Sequence, residues 1–238
     1  MNIAIDFGNT SLKAGLFEGD KMVEYFNVAS QIDLIRLANE KINDKIIISA
    51  VSNDPTHFIN LIENKSRLTL LTPKIKVPII NKYETPDTLG ADRLAAVTGA
   101  NFLFPGKNCL VIDAGTSITY DLITANAEYL GGNISLGISM RYKALNNFTA
   151  RLPLLNSKES TRDFIGKNTK SAIETGVLEG ITGEVEHFIK LIKKKFDPLT
   201  IVFCGGDAGF FETKIKEPIF VVPELVLVGL NRILNYNA

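Results

Sequence analysis

The chain has 238 residues, of which 45% are hydrophobic, so it can bury one large core or two cores of about 100 to 120 residues each. Lysine plus arginine equals aspartate plus glutamate at 26 each, which excludes a strong field of one sign that would attract nucleic acid or an anionic membrane. The chain opens on a strand pattern and has no apolar stretch long enough to span a bilayer. We therefore expect a cytoplasmic protein with no nucleic-acid or membrane partner.

The first half of the chain has the pattern of three strands followed by alternating helices and strands. Short apolar runs between turn residues predict the strands, and apolar residues three or four positions apart predict the helices. Asn53 and Asp54 before Pro55 combine a capping residue with a proline that suits the first helical turn. The predicted elements are strands 1–7, 11–17 and 22–28, helix 31–42, strand 45–51, helix 55–65 and strand 68–71.

The second half repeats this order after an intervening helix predicted at 91–102. A long helical pattern over 173–196 places Gly176, Gly180 and Gly183 on one face. These glycines either admit a close neighbour or are tolerated in a packed pair of helices. The other predicted elements are strands 109–114, 117–124 and 128–134, a helix from 138, strands 200–203 and 219–222, and helix 224–235.

Two turns that contain a carboxylate, a glycine and short polar side chains follow buried strands in the two halves. The first spans residues 6–10, and the second contains Asp113, Gly115 and Thr116. Such a turn can bring backbone N–H groups close to a phosphate, although a hairpin tip uses the same residues for turn geometry alone. The two turns are 107 residues apart, which indicates two similar domains. We expect an α/β fold in which two domains face a ligand-binding cleft.

A third polar segment, residues 83–94, lies between the halves. Pro86 and Gly90 mark a turn, and the helix that follows begins with Asp92 and Arg93. Adjacent helical residues point about 100 degrees apart, so one of these side chains can accept a proton while the other holds an anion. The alternative is an ordinary helix start, in which an aspartate in the first turn interacts favourably with the helix dipole.

These segments resemble the type III pantothenate kinases, members of the acetate and sugar kinase/heat-shock chaperone/actin superfamily. The resemblance covers nearly the whole chain. The acidic turns belong to the wider superfamily, whereas the GADR segment and the last two motifs are specific to the family. Leu136 is a departure, because the family usually has proline in this glycine-rich turn. The motifs are DFGNTSLK at 6–13, GADRLAAVTGA at 90–100, VIDAGTSITYDLI at 111–123, GGNISLGISMRYKALNNFTARLP at 131–153 and GKNTKSAIETG at 166–176.

The resemblance implies a fold and a reaction. The fold would consist of two ribonuclease-H-like domains with β-β-β-α-β-α-β repeats, as actin-like ATPase domains at 1–107 and 108–238. The reaction would be ATP-dependent phosphorylation of pantothenate to 4'-phosphopantothenate, the first step of coenzyme A biosynthesis. ATP would bind with Mg²⁺, and a monovalent cation, K⁺ or NH₄⁺, would be present. The family resemblance also implies a homodimer in which the partner subunit completes the substrate site.

The resemblance assigns roles to individual residues. Asp92 would be the catalytic base that accepts the proton of the pantothenate primary hydroxyl, and Asp113 would ligate the monovalent cation. Thr169 would contact pantothenate, although the residues around it also have the pattern of a helix N-cap. The nucleotide site would comprise Asp6, Phe7, Gly8, Asn9, Thr10, Ser11, Leu12, Lys13 and Thr116. The pantothenate site would comprise Tyr83, Gly90, Ala91, Asp92, Arg93 and Thr169.

Two other classes of protein share parts of this pattern. A regulatory member of the superfamily would bind nucleotide without phosphorylating a small molecule, but the complete GADR segment together with both acidic turns favours the kinase. A sugar or acetate kinase of the same superfamily would be longer and would carry larger insertions. Pantothenate is therefore the substrate that the sequence favours.

Overall fold

The computed structural model describes residues 1–8, 12–28, 31–40, 44–50, 55–156, 158 and 163–238. Within these ranges no helix combines the length and the apolar character that crossing a membrane requires. The strands are β1 (Asn2–Phe7), β2 (Leu12–Glu18), β3 (Lys21–Val28), β4 (Lys45–Ala50), β5 (Leu68–Leu70), β6 (Ile80–Asn81), β7 (Asn108–Ala114), β8 (Ser117–Ile123), β9 (Glu128–Leu136), β10 (Leu199–Cys204) and β11 (Ile219–Val221). The α-helices are α1 (Gln31–Glu40), α2 (Thr56–Leu61), α3 (Ala91–Leu103), α4 (Ile138–Asn147), α5 (Thr169–Lys193), α6 (Ala208–Glu212) and α7 (Leu225–Tyr236), and short 3-10 helices lie at Lys65–Arg67 and Pro86–Thr88.

The first sheet has the strand order β3-β2-β1-β4-β5. Its central strand, β1, is antiparallel to β2 and parallel to β4. Ile3 and Ile5 are completely buried, because the apolar run of β1 is covered on both faces of the sheet. The register places Asp6 beside Lys13 of β2 and Ser49 of β4, so three polar side chains meet where β1 ends.

The second sheet has the strand order β11-β10-β7-β8-β9-β6. β10 is parallel to β7 and to β11, and its register places Cys204 beside Asp113. α5 contributes an apolar stripe to the core of this sheet, because apolar residues four positions apart lie on one face of a helix. The buried residues of the stripe are Ile173, Val177, Ile181, Val185 and Ile189.

The chain forms two compact units. The first unit contains residues 1–107, 123–131 and 224–238, and the second contains residues 108–122 and 132–223. The helix α7 therefore belongs to the same unit as β1, although more than 200 residues separate them along the chain. The division into domains at 1–107 and 108–238 stays a prediction.

The predicted α/β class and the predicted order of the main elements are confirmed, with most boundaries shifted by one or two residues. The helix predicted over 55–65 ends at Leu61. α5 begins at Thr169, before the first apolar residue of its pattern, because Asn168 and Ser171 form a capping box. The short elements β6 and α6 were not predicted, since neither is long enough to show a period. Outside the described residues lie Asn53, Asp54 and parts of the predicted strands 11–17 and 45–51 and of helix 31–42.

The helices α3 and α7 of the first unit cross at a contact between two glycines. A Cβ at Gly229 would lie 1.8 Å from the Ala95 carbonyl oxygen, and a Cβ at Gly99 would lie 2.5 Å from the Leu225 carbonyl oxygen. Both neighbours are backbone atoms, so a change of rotamer cannot make room. Because α7 also packs against β1 and β4, this crossing fixes α3 on the first sheet.

We expect Gly229→Ala to lower the free energy of unfolding by about 3 kcal/mol, because the added methyl group overlaps the backbone of α3. The measurement is urea denaturation followed by circular dichroism. Gly209→Ala in α6 is the control, since a Cβ there meets nothing within 4 Å. It should leave stability unchanged or raise it by about 0.5 to 1 kcal/mol. Equal stability of Gly229→Ala and the wild type would show that the helices tolerate a wider crossing.

Candidate active site

The end of β1 places a buried carboxylate in the first unit. Asp6 is 8% exposed, and Ser49 Oγ donates a 2.5 Å hydrogen bond to Asp6 Oδ1. Burial raises the pKa of Asp6 to about 6, although the hydrogen bond from Ser49 opposes this effect. The Asp92 carboxylate raises the pKa further, and the Lys13 ammonium lowers it. The negative charge of Asp6 is therefore only partly compensated at neutral pH. A carboxylate of this kind would attract a cation, including one that is bound to a phosphate.

Asp92 lies in the first turn of α3, two residues after the N-cap Gly90. Asp92 Oδ1 accepts a 2.8 Å hydrogen bond from the backbone N–H of Arg93. A Cβ on residue 90 would lie 2.5 Å from the same oxygen, so a glycine is needed for the carboxylate to take this position. The position is compatible with a favourable interaction with the helix dipole. It also keeps a half-buried carboxylate near Asp6, where a reacting hydroxyl group can be deprotonated.

Arg93 is held against a pair of aromatic rings. Its guanidinium carbon lies 5.5 Å from the centre of the Tyr83 ring, and Arg93 is only 6% exposed. Tyr83 stacks on Tyr129 with the ring centres 6.1 Å apart and the planes inclined by 6°. Gly131 has a φ of +105°, and a Cβ there would lie 3.3 Å from Tyr83. The stack orients the planar donor group of Arg93, which a lysine cannot reproduce.

A cavity of about 360 Å³ lies beside the start of α3 in the first unit. Gly90 and Ala91, two of the residues predicted to contact pantothenate, form part of its wall. The remaining wall is partly apolar and partly polar, so the cavity suits a small molecule that has both an aliphatic body and polar groups. The apolar wall includes Leu71, Pro73, Ile75, Val77, Leu89 and Leu94.

The second unit contains the second acidic turn, at the end of β7. Gly205, just after β10, has a φ of +87°, and a Cβ there would lie 2.3 Å from Asp113 Oδ1 and 2.4 Å from the Ala114 carbonyl oxygen. The backbone N–H of Asp207 donates a 2.8 Å hydrogen bond to that carbonyl. A glycine is therefore required for the turn after β10 to approach Asp113. A carboxylate and a backbone carbonyl are the hard oxygen donors that fit a cation such as K⁺.

Thr116 lies in the loop between β7 and β8. The backbone N–H of Gly137 donates a 3.1 Å hydrogen bond to the Thr116 carbonyl oxygen. A Cβ at Gly137 would lie 2.1 Å from the Gly115 carbonyl oxygen and 2.4 Å from that of Thr116. The start of α4 thus rests directly on the second acidic turn.

Thr169 is exposed and is the first residue of α5, in the second unit. Asn168 Oδ1 accepts a 2.9 Å hydrogen bond from the backbone N–H of Ser171, and Ser171 Oγ accepts a 3.2 Å hydrogen bond from the backbone N–H of Asn168. The N-cap interpretation of this segment is therefore confirmed for Asn168 and Ser171. It does not account for the Thr169 side chain.

The structure brings several of the predicted site residues together within the first unit. Asp6, Lys13 and Asp92 interact electrostatically, and Arg93 contacts Tyr83. Phe7, Gly8 and Leu12 flank the same strand ends, whereas Asn9, Thr10 and Ser11 lie outside the described residues. The predicted residues Asp113, Thr116 and Thr169 belong to the second unit.

Two contacts of the site were not predicted from the sequence. Ser49 contacts Asp6, and its signal is a lone hydroxyl in the otherwise apolar run Ile46 to Ala50. Gly205 contacts Asp113, and its signal is a pair of glycines directly after a strand. Neither signal identifies the partner across the sheet, because the register between distant strands is not visible in one sequence.

Sequence comparison relates this chain to kinases. A sequence model of the family "Type III pantothenate kinase" matches residues 2–191. A type III pantothenate kinase of Cytophaga hutchinsonii is 43% identical over 237 residues, with 100% of both chains covered. Another from Bacteroides fragilis is 44% identical over 240 residues, with 100% of this chain and 98% of the relative covered.

Solved structures share the fold. A conserved putative Baf family transcriptional activator from Campylobacter jejuni has a TM-score of 0.62 at 26% identity, with 99% of this chain and 98% of the other covered. A putative 2-dehydro-3-deoxygalactonokinase from Sinorhizobium meliloti has a TM-score of 0.62 at 12% identity, with 100% and 99% covered. The ROK hexokinase of Thermus thermophilus has a TM-score of 0.54 at 14% identity, with 98% and 97% covered. The similarity to the last two proteins concerns the fold alone.

We expect Asp6→Asn to stabilise the ligand-free protein increasingly as the pH rises from about 4 to 7. The pKa of Asp6 is raised to about 6 in the folded protein, so the folded state binds more protons than the unfolded state in this window. Ionisation of Asp6 therefore lowers stability as the pH rises, by up to about 3 kcal/mol, and asparagine removes this loss. The measurement is urea denaturation at several pH values.

Asparagine retains an oxygen that can accept the Ser49 hydrogen bond, so the substitution mainly removes the charge. Glu24→Gln, at an exposed position of β3, controls for the loss of one carboxylate. A stability difference between Asp6→Asn and the wild type that does not change with pH would contradict the assignment of a raised pKa to Asp6.

Proposed function

The chain belongs to the type III pantothenate kinase family, which uses ATP to phosphorylate pantothenate in coenzyme A biosynthesis, and we propose that Asp92 and the two acidic turns carry out this reaction. The observation that carries the proposal is the geometry at the start of α3. Gly90 leaves room for the Asp92 carboxylate, and Asp92 lies close enough to the buried Asp6 to raise its pKa. A base beside a phosphate-binding turn is the arrangement that phosphoryl transfer to an alcohol requires.

Asp92 acts as the general base in this proposal. The pantothenate primary hydroxyl transfers its proton to the Asp92 carboxylate as its oxygen bonds to the γ-phosphorus. The bond between the γ-phosphorus and the bridging oxygen breaks, and ADP leaves with that oxygen. Little covalent chemistry is required of the protein, so alignment of the hydroxyl with the γ-phosphate is the main task of the residues around Asp92.

Arg93 anchors the acceptor in this proposal. Its guanidinium is almost buried and oriented by Tyr83, which suits the binding of polar groups of pantothenate by a planar set of donors. The cavity beside Gly90 and Ala91 has the apolar wall that the aliphatic part of the molecule needs. Thr169 completes the set of acceptor contacts that the family resemblance implies.

The first acidic turn, residues 6–13, and Thr116 bind ATP in this proposal. Lys13 lies beside Asp6 in the strand register and supplies a positive charge for phosphate oxygens. Mg²⁺ bound to the nucleotide neutralises charge on the phosphates, and the buried Asp6 carboxylate is the residue that fits this ion. Asp113 holds the monovalent cation, with backbone carbonyl oxygens as further donors.

We also propose that the enzyme is a cytoplasmic homodimer whose acceptor site is completed by the partner. The support is one face of α5, where Gly176, Gly180 and Gly183 are exposed and a Cβ would meet nothing within 4 Å. Each glycine inside a helix costs about 1 kcal/mol relative to alanine, so a face with three of them suits close approach by another chain. Thr169 lies at the exposed start of the same helix. A monomer in sedimentation at the assay concentration would contradict this.

A regulatory role is the competing function, because the structure from Campylobacter jejuni carries the name of a transcriptional activator. The sequence relatives at 36% to 44% identity are named kinases over their whole length, which favours catalysis. The deciding experiment measures ADP production by the purified protein with ATP and pantothenate. ADP production that does not depend on pantothenate would contradict the proposed reaction.

We expect Asp92→Asn to lower kcat by about a hundredfold to ten-thousandfold, because it removes the base and keeps the shape of the side chain. Pantothenate binding should survive. Asp33→Asn is the matched control, because Asp33 is likewise an aspartate in the first turn of a helix of the first unit. Near-normal turnover of Asp92→Asn would identify Asp92 as a helix-start residue only.

We expect Arg93→Lys to raise the KM for pantothenate and to change kcat little. Lysine keeps the positive charge but loses the planar fork of donors. Steady-state kinetics with pantothenate varied at saturating ATP measures this effect. A rise confined to the KM for ATP would contradict the anchoring role of Arg93.

Activity is expected to require K⁺ or NH₄⁺ and to fall when Na⁺ replaces them. Asp113→Asn should weaken this dependence, since it removes the charged ligand from the proposed cation site. The measurement is ADP production in chloride salts at one ionic strength. Full activity of the wild type in Na⁺ alone would remove the proposed cation from the mechanism.

A further inference from the structure

A polar network in the second unit joins β8, β9, α4 and α5. Arg141, one turn into α4, donates a 2.5 Å hydrogen bond from Nη2 to Glu184 Oε2 of α5. Glu184 also accepts a 2.8 Å hydrogen bond from the Tyr120 hydroxyl and a 3.2 Å hydrogen bond from Ser135 Oγ. The side chains of Arg141 and Glu184 are only 19% and 24% exposed, so solvent screens the pair less than it would a pair on the surface.

Arg141 also contacts the backbone of the turn between β9 and α4. Its Nε donates a 2.9 Å hydrogen bond to the Leu136 carbonyl oxygen. The next residue, Gly137, donates from its backbone N–H to the carbonyl oxygen of Thr116 and touches the Gly115 backbone. A continuous series of contacts therefore runs from Glu184 through Arg141 to the second acidic turn.

The charges of the network favour one fixed arrangement. Burial raises the pKa of Glu184, but the hydrogen bonds from Arg141 and Tyr120 outweigh burial and leave the pKa below its ordinary value. Burial and Glu184 together raise the pKa of Tyr120, so its hydroxyl stays a neutral donor. Glu184 is thus an ionised acceptor, and the buried apolar stripe of α5 fixes the helix that orients Arg141.

We propose that Arg141, anchored by Glu184, is a positioning residue that fixes the loop at Gly115 and Thr116 for binding the phosphates of ATP. The proposal rests on the assignment of Thr116 to the nucleotide under the proposed function. Arg141 acts through the Leu136 carbonyl and Gly137, so no contact between Arg141 and a substrate is involved. Leu136 stands where proline is usual in the family, and the bond from Arg141 to its carbonyl restrains a turn that lacks the fixed φ of proline.

The test separates positioning from general stabilisation by comparing the two substrates. Arg141→Met should raise the KM for ATP by about tenfold to a hundredfold, the range expected for losing a hydrogen bond to a charged group, and leave the KM for pantothenate unchanged. Arg141→Lys keeps the charge beside Glu184 but loses the Nε donor, so its KM for ATP should lie between those of the wild type and Arg141→Met. It also keeps the test usable if Arg141→Met does not fold.

Glu184→Gln should raise the KM for ATP in the same direction, and it should have no further effect in the Arg141→Met background because it acts through Arg141. Lys193→Met is the control, since Lys193 also lies on α5 and pairs with Glu217 at 2.6 Å, outside the network. It should change neither KM. An unchanged KM for ATP in the folded Arg141 variants, equal rises in both KM values, or additive effects of the Arg141 and Glu184 substitutions would each overturn the proposal.

Calorimetric titration with ATP alone separates this proposal from the proposed function. If the wild type binds ATP but does not phosphorylate pantothenate, the proposed reaction fails. The effect of Arg141 can then still be measured as a change in the Kd for ATP.

Discussion

The burial of one carboxylate is the constraint on which the first unit depends. β1 is apolar because other residues cover the sheet on both faces at this strand. Near its end, however, the strand carries Asp6, and burial disfavours the charged form of this side chain. Ser49 and Lys13 compensate this charge in part, and Asp92 works against them. The partly compensated charge of Asp6 therefore favours the approach of a cation, such as the metal ion that accompanies the nucleotide in the proposed function. The six residues of β1 thus combine a buried apolar strand with a buried carboxylate near its end.

The helix α3 connects this carboxylate with the proposed acceptor site. Its first turn carries Asp92 and Arg93, and its middle is pressed against α7 through Gly99. Both the start and the middle of α3 depend on glycine, because Gly90 admits a side-chain oxygen and Gly99 admits a neighbouring backbone. The positions of the proposed base and anchor on one helical turn thus depend on the packing of the helix as a whole.

The sequence predicted the secondary-structure elements and the reaction, but it predicted few of the contacts between those elements. Apolar periodicity was sufficient for the order of strands and helices, and the GADR segment together with the motifs at 131–153 and 166–176 was sufficient for the family. The contact of Ser49 with Asp6 and the approach of Gly205 to Asp113 depend on strand register, which local patterns do not encode. An N-cap before α5 was visible as a pattern, but the identification of Asn168 rather than Thr169 as the cap required hydrogen-bond geometry. The network of Glu184 joins four elements, so no single segment carries a signal for it.

The first unit combines segments that are far apart in the sequence, and this affects the order in which the protein can fold. α7 is synthesised only after the whole of the second unit, yet it packs on β1 and holds α3 in place. Once residues up to 223 have left the ribosome, the second unit can complete its own core, whereas the first unit still lacks α7. Until α7 is synthesised, the apolar surface of β1 and α3 that α7 covers stays exposed in the nascent chain. The proposed base and anchor on α3 therefore gain the support of α7 only after α7 has been synthesised, so a nascent chain that lacks α7 does not present the proposed acceptor site in its final form.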